Sequence, residues 1–227
     1  MTLIYIPAGE FTMGSNESGI PKSQPEHRVY LDAYWIDKTE VSNAMYLLCV
    51  ADRKCTIPVQ ETINPYIQNP FYANYPVVYV RWHDARDYCA WAGRRLPTEA
   101  EWEKAARGTD GRIYPWGNEP PNPSLANFDY NLGVAMPVDR YPLGASPYGV
   151  LNMAGNVREW IKDWYSSTYY SDSPSENPPG PDTGHHRSLR GGSFMDDERE
   201  IRIFNRFDHS PTSTGIDRGF RCAMSEP

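Results

Sequence analysis

Two groups of side chains in this sequence have the types and spacing to do chemistry. The first is an acidic run, Asp196, Asp197, Glu198 and Glu200, which follows directly on Arg190-Gly191-Gly192-Ser193-Phe194-Met195 and is interleaved with Arg199, Arg202 and Arg206. Carboxylates at this density can hold a divalent ion or attract a cationic ligand such as an amine or a basic peptide. Offset by arginines, they equally make a solvated turn. The second group is four cysteines, Cys49, Cys55, Cys89 and Cys222. An even count suits disulfides and an oxidising compartment, and buried free thiols are the competing reading. Cys49 and Cys55 enclose a short loop at a helix end and could close it locally. Five histidines offer no pair at helical ligand spacing, and the adjacent His185-His186 sit in a Pro/Gly-rich stretch that reads as surface loop. No Ser-His-Asp order, phosphate-cradling glycine loop or zinc pattern is present.

The elements that must position these groups are short. Residues 3–13 read as two strands around Pro7-Ala8-Gly9, and the alternation in 27–37 predicts one strand with Val29, Leu31 and Tyr34 facing inward. Helical spacing covers 41–50. Trp82, Ala85, Cys89 and Ala92 line one helical face that ends at Gly93. Thr98 and Glu101 make a capping box for a helix running to about Arg107 and stopping at Gly108. Residues 56–76 read as a structured loop, and 166–187, rich in Ser, Pro, Gly, Asp and His, as a long exposed loop or flap. Neither a repeat nor a domain boundary interrupts residues 1–227, so a single domain is expected.

Composition narrows the function classes. Aromatics are 13% of the chain although mean hydropathy is only −0.65, and 21 prolines break up long elements. This describes a loop-rich domain whose rings pack many short segments. A net charge of −7 leaves no basic stripe for phosphates, so a general nucleic-acid binder is excluded. No apolar run reaches membrane-spanning length, and the first residues lack signal-peptide features. The sequence also suits a piece of a longer, exported or tethered protein.

Ordered motifs along nearly the whole chain carry a resemblance. They are PAGEF (7–11), TEVSN (39–43), RLPTEAEWEKAARG (95–108), PWG (115–117), GVLNMAGNVREW (149–160), RGGSFM (190–195) and GFRCA (219–223). Together they resemble the formylglycine-generating enzymes, or sulfatase-modifying factors. The resemblance implies an α+β fold related to C-type lectins, low in regular structure, with two early helices and a small twisted sheet. It also implies a Cys89–Cys222 bridge from the AWAG-type helix to the last strand. In that family two cysteines after the RGGS segment bind copper to oxidise a substrate cysteine. Those positions are Asp196 and Ile201 here, one a hard ligand and the other none, so copper chemistry is not expected. Ser193 matches a serine lining the family's pocket, which puts the acidic run on the old catalytic floor.

The same resemblance implies calcium. Asn152 and Glu159 would give side-chain oxygens and Gly155 and Val157 carbonyls to one site. Asn127 and Phe128 begin a second, whose later acid is missing although Asp129 lies next door. The expected function is a non-catalytic ligand-recognition or sensor module, calcium-braced, with loops 166–187 and 195–217 around the vacated pocket. Ser193, Asp196, Asp197, Glu198, Arg202, Phe204 and Arg206 are its candidate pocket residues, and the ligand is a small molecule, peptide or protein. Similar domains occur as sensor portions of bacterial kinases and as ligand-displaying proteins diversified by retroelements. The competing expectations are an oxidase or oxygenase with a metal on the acidic run, and a structural partner with no pocket ligand. Disulfides, if formed, favour the extracellular or periplasmic side.

Overall fold

A computed structural model describes residues 1–17, 19–58 and 66–225; residues 59–65 of the loop expected over 56–76 lie outside the described residues. β1 (Leu3–Ile6) and β2 (Gly9–Met13) flank the Pro7-Ala8 turn but do not pair with each other. β2 pairs antiparallel with β3 (His27–Leu31), and β1 with β4 (Tyr34–Asp37). The single strand expected over 27–37 is therefore two strands, because its halves serve different sheets. The chain changes sheet at Asp32-Ala33, where Asn177 accepts the Asp32 N–H (2.9 Å) and donates to the Asp32 carboxylate (2.9 Å). Val29, Leu31 and Tyr34 face the core as the alternation requires.

β9 (Ala223–Ser225) pairs with the other edge of β4, giving the order β1-β4-β9. A four-stranded sheet carries the second half of the chain. Its members are β5 (Arg158–Trp164), β6 (Arg187–Arg190), β7 (Phe207–His209) and β8 (Arg218–Gly219), in the order β7-β6-β5-β8 with only β5 and β8 parallel.

Three helices cross these sheets. α1 (Asn43–Ala51) is capped by Ser42, whose Oγ accepts the Met45 N–H (3.4 Å). α2 (Trp82–Trp91) buries Trp82, Ala85 and Cys89 on the expected face. α3 (Glu99–Arg107) starts on the expected capping box: Thr98 Oγ1 accepts the Glu101 N–H (3.1 Å), and Glu101 accepts the Thr98 N–H (2.8 Å). Every residue of α3 is buried, charged ones included, so each charge needs a partner. Arg206 grips Glu99 with two bonds (2.7 and 2.9 Å), and Lys104 donates to the carbonyls of Pro7 (2.7 Å) and Gly9 (2.9 Å). Glu103 receives both Arg190 and Arg107. Burial alone would raise the Glu99 carboxyl, but Arg206 and Arg190 hold it below its ordinary value.

Trp102, Ile36 and Met153 centre one apolar cluster; Trp160, Phe220 and Tyr46 centre another beneath α1 and α2. Cys89–Cys222 joins α2 to the residue preceding β9, and Cys49–Cys55 closes the end of α1. The segment 166–187 is mostly exposed but is not a free flap. It holds the short helix α4 (Tyr169–Asp172) with Tyr170 buried, and Tyr30 bonds it through the Ser175 carbonyl (2.7 Å) and the Asn177 N–H (2.8 Å). Among the described residues no helix is long and apolar enough to cross a membrane.

Candidate functional site

The turn after β6 delivers the RGGS segment to the site. Gly191 and Gly192 both have positive φ (+92° and +69°), and a Cβ on them would come within 3.1 Å of Trp102 and 2.9 Å of Ile201. Only glycine lets the backbone pass so close over α3 and the next turn. Ser193 then meets Asp196: its N–H (2.7 Å) and its hydroxyl (2.9 Å) both donate to Asp196 Oδ2. The other Asp196 oxygen is paired with Arg158, the first residue of β5. Arg158 also reaches Asp217 (3.0 Å) and lies 4.5 Å from the centre of the Phe207 ring. Its buried Nε has no partner among the described residues. The site is thus a closed Ser193–Asp196–Arg158–Asp217 chain, with β5, β6 and β8 each supplying or flanking a member. Arg158 and Asp217 were not singled out from sequence, because nothing local marks two residues that meet across parallel strands.

The acidic run does not act as one group. Asp196 is buried and committed, whereas Asp197, Glu198 and Glu200 are exposed. Asp197 Oδ1 accepts the N–H groups of Arg199 (2.8 Å) and Glu200 (3.0 Å), which makes it a turn residue. Among the described residues no three His, Cys, Asp or Glu side chains are placed to share a metal ion. The metal set required by the altered-oxidase expectation is therefore not assembled there. Ile201, the other position matched to a copper cysteine, is fully buried with Tyr114, Ala126 and Ala154. Phe204 and Arg206 are interior too, Phe204 with its ring beneath the Arg107 guanidinium (5.6 Å) and Arg206 on Glu99, so neither is a surface anchor.

What remains outward is a cleft of about 440 Å³ between Glu17, Gly19 and Ile20 on one side and residues 199–205 on the other. It is lined by Glu17, Gly19, Ile20, Arg199, Glu200, Arg202 and Asn205. Arg202 pairs with Glu17 across it. Burial, then the neighbouring Asp196, lifts the Glu200 carboxyl above its ordinary value.

The two calcium sets differ. Glu159 accepts from Arg221 Nε (2.7 Å), Arg221 Nη2 (2.6 Å) and Trp102 Nε1 (2.9 Å). Asn152 donates to Glu40 (2.8 Å) and to the Val138 carbonyl (3.0 Å). Gly155 donates to the Gly191 carbonyl (2.8 Å), and Val157 is fully buried. The charge that calcium would balance on Glu159 is balanced by a buried guanidinium, so this set does not fit the ion as arranged. At Asn127 the amide nitrogen donates to the Val134 carbonyl (2.9 Å), while Oδ1 is buried without a donor among the described residues. The Phe128 carbonyl accepts the Asn131 N–H (3.0 Å), and Asp129 donates its N–H to the Asp196 carbonyl (2.8 Å). An orphaned oxygen in a carbonyl-rich turn fits a hard cation or a bound water.

Comparison with known proteins agrees with this architecture. The formylglycine-generating enzyme of Streptomyces coelicolor is 36% identical over 97% of this chain and 88% of its own length. The serine/threonine-protein kinase pkn1 of Chlamydia caviae is 37% identical over 97% of this chain, which spans only 37% of that kinase. Among solved structures, PvdO from Pseudomonas aeruginosa superposes with a TM-score of 0.82 at 25% identity, covering 99% of this chain and 94% of its own. Residues 1–226 match the sulfatase-modifying factor enzyme 1-like domain, and with such relatives across its length the chain belongs to that family.

Proposed function

We propose that this chain is a non-catalytic recognition module on the formylglycine-generating scaffold. One observation carries the reading: the two positions matched to the copper cysteines are structural here. Asp196 has both oxygens engaged by Ser193 and Arg158, and Ile201 is sealed in an apolar cluster. Redox copper asks for two soft, deprotonated sulfurs facing a substrate, and neither residue supplies one.

The recognition surface is the cleft of Arg199, Glu200, Arg202 and Asn205, whose mixed charges suit a peptide or small molecule bearing both signs. The module would operate as a portion of a larger chain, as the matched region is in the kinase relative, and on the oxidising side of a membrane, where its two disulfides persist. Calcium at the Asn127 turn would brace the floor beneath Asp196.

The test is incubation of the purified chain with a cysteine-containing peptide, Cu(I) and oxygen, followed by mass spectrometry of peptide and bound metal. The expected outcome is an unmodified peptide and no stoichiometric copper; conversion of the cysteine that disappears in Asp196→Ala would overturn the reading. Metal analysis of the same sample, with melting followed against added calcium, tests the brace. Peptides selected for binding the wild-type chain are expected to lose at least tenfold affinity to Arg202→Ala, and unchanged affinity would remove the cleft as the binding surface.

A further inference from the structure

Away from the Arg158 chain, the segment following residue 65 folds back on α1 and forms a half-open apolar pocket of about 160 Å³. It shares no lining residue with the Arg202 cleft. Its walls are aromatic. Phe71 and Tyr72 meet edge to face with centroids 5.0 Å apart, as do Tyr72 and Tyr75, also at 5.0 Å. Rings held at such angles brace one another instead of collapsing flat, so the space between them persists. Pro76 and Val78 are buried lining residues, and Val134 and Phe71 are exposed ones.

One polar side chain in the lining is incompletely satisfied. Asn43, 1% exposed at the start of α1, donates Nδ2 to the Tyr72 carbonyl (2.9 Å). That bond fixes the amide orientation, since a carbonyl can only accept. Asn43 Oδ1 is consequently an acceptor, and it is buried with no donor among the described residues. Burying an amide oxygen without a partner costs about 1–3 kcal/mol, a cost a ligand recovers once the lining rings part to admit it, since the packing as it stands covers that oxygen.

We infer that this pocket binds a small organic amine, its apolar ring between Phe71, Tyr72 and Tyr75 and its N–H on Asn43 Oδ1. Size selects a single ring: a cavity of about 150 Å³ takes benzene. The acceptor selects a donor, and the π faces favour a cationic one. Among the described residues no Lys or Arg lines the pocket to repel it, and the chain's net charge is −7. The site stands independently of the recognition cleft and would persist if that reading failed.

The experiment is calorimetric titration of the full chain at neutral pH with 2-phenylethylamine and with 2-phenylethanol, which keeps the ring and spacer but carries no charge. A single saturable site at least tenfold tighter for the amine is expected. Val134→Trp, placed on an exposed position to fill the mouth, should lower amine affinity at least tenfold while the melting temperature holds. Asn43→Leu should lower the affinity of both probes, since each donates a hydrogen to Asn43 Oδ1, and leave the preference for the charged one. Absence of saturable binding, equal affinity for the two probes, or indifference to Val134→Trp would each overturn the proposal; the last holds even if Asn43→Leu fails to fold.

Discussion

Asp37 is fully buried, accepts the Cys222 N–H (2.9 Å) and pairs with Arg94. Burial outweighs both and lifts its carboxyl from 3.8 to about 6. A carboxyl raised in the folded state holds its proton more tightly there than in the unfolded chain. Its contribution to stability is complete below about pH 4 and is lost as pH rises through about 6, a change on the order of 3 kcal/mol. Denaturant midpoints measured from pH 4 to 7 should fall more steeply for the wild type than for Asp37→Asn; parallel curves would show that Asp37 is not the titrating group. At this scale the sequence was partly legible. Thr98 and Glu101 met as a capping box because their partners are three residues apart. Asp196 read either as part of an ion- or cation-binding floor or as a solvated turn, and neither reading contains Arg158, its partner 38 residues away. Glu159, a cation ligand by resemblance alone, has Arg221, 62 residues on, beside it instead. Charge density is visible in a sequence; which charge is already answered is not.

Among the elements, α3 depends most on its first turn. Thr98→Ala removes the Oγ1 that accepts the Glu101 N–H and should cost about 1 kcal/mol, read as a lower thermal midpoint with the fold retained. An unchanged midpoint would mean that packing alone holds the helix start. Helices α1, α2 and α3 were foreseen because period and caps are local signals. The break at Asp32-Ala33 was not, since alternation continues across it and only the sheets reveal that β3 and β4 have different partners. The segment 166–187 looked free for the complementary reason. Its composition is that of a loop, and its attachment runs through backbone bonds to Tyr30 and the Asn177–Asp32 pair, partners 145 residues apart in sequence.

For the molecule as a whole, the two disulfides should differ in weight. Cys89–Cys222 closes a span of 133 residues and Cys49–Cys55 one of 6. Loop entropy then gives roughly 5 kcal/mol for the first and about 2 kcal/mol for the second. Cys89→Ala/Cys222→Ala should therefore lower the denaturation midpoint far more than Cys49→Ala/Cys55→Ala; equal losses would show that native packing, not chain entropy, sets their worth. The overall fold was accessible through its ordered motifs, whereas the aromatic pocket at Asn43 was not, being assembled from α1, the 66–78 segment and two distant turns.

The sheet order β1-β4-β9 has a mechanical consequence. Leu3 pairs with Asp37 and Ser225 with Tyr34, so the first and last strands run parallel on either side of β4 and leave it in opposite directions. A pull on the two ends loads both hydrogen-bond ladders lengthwise, where the bonds must break together and not one after another. At the far end Cys222 is bolted to Cys89 on α2, so only the few residues beyond it can be drawn out before the helix itself must move. Set within a longer chain, the domain would bear tension as a stiff link.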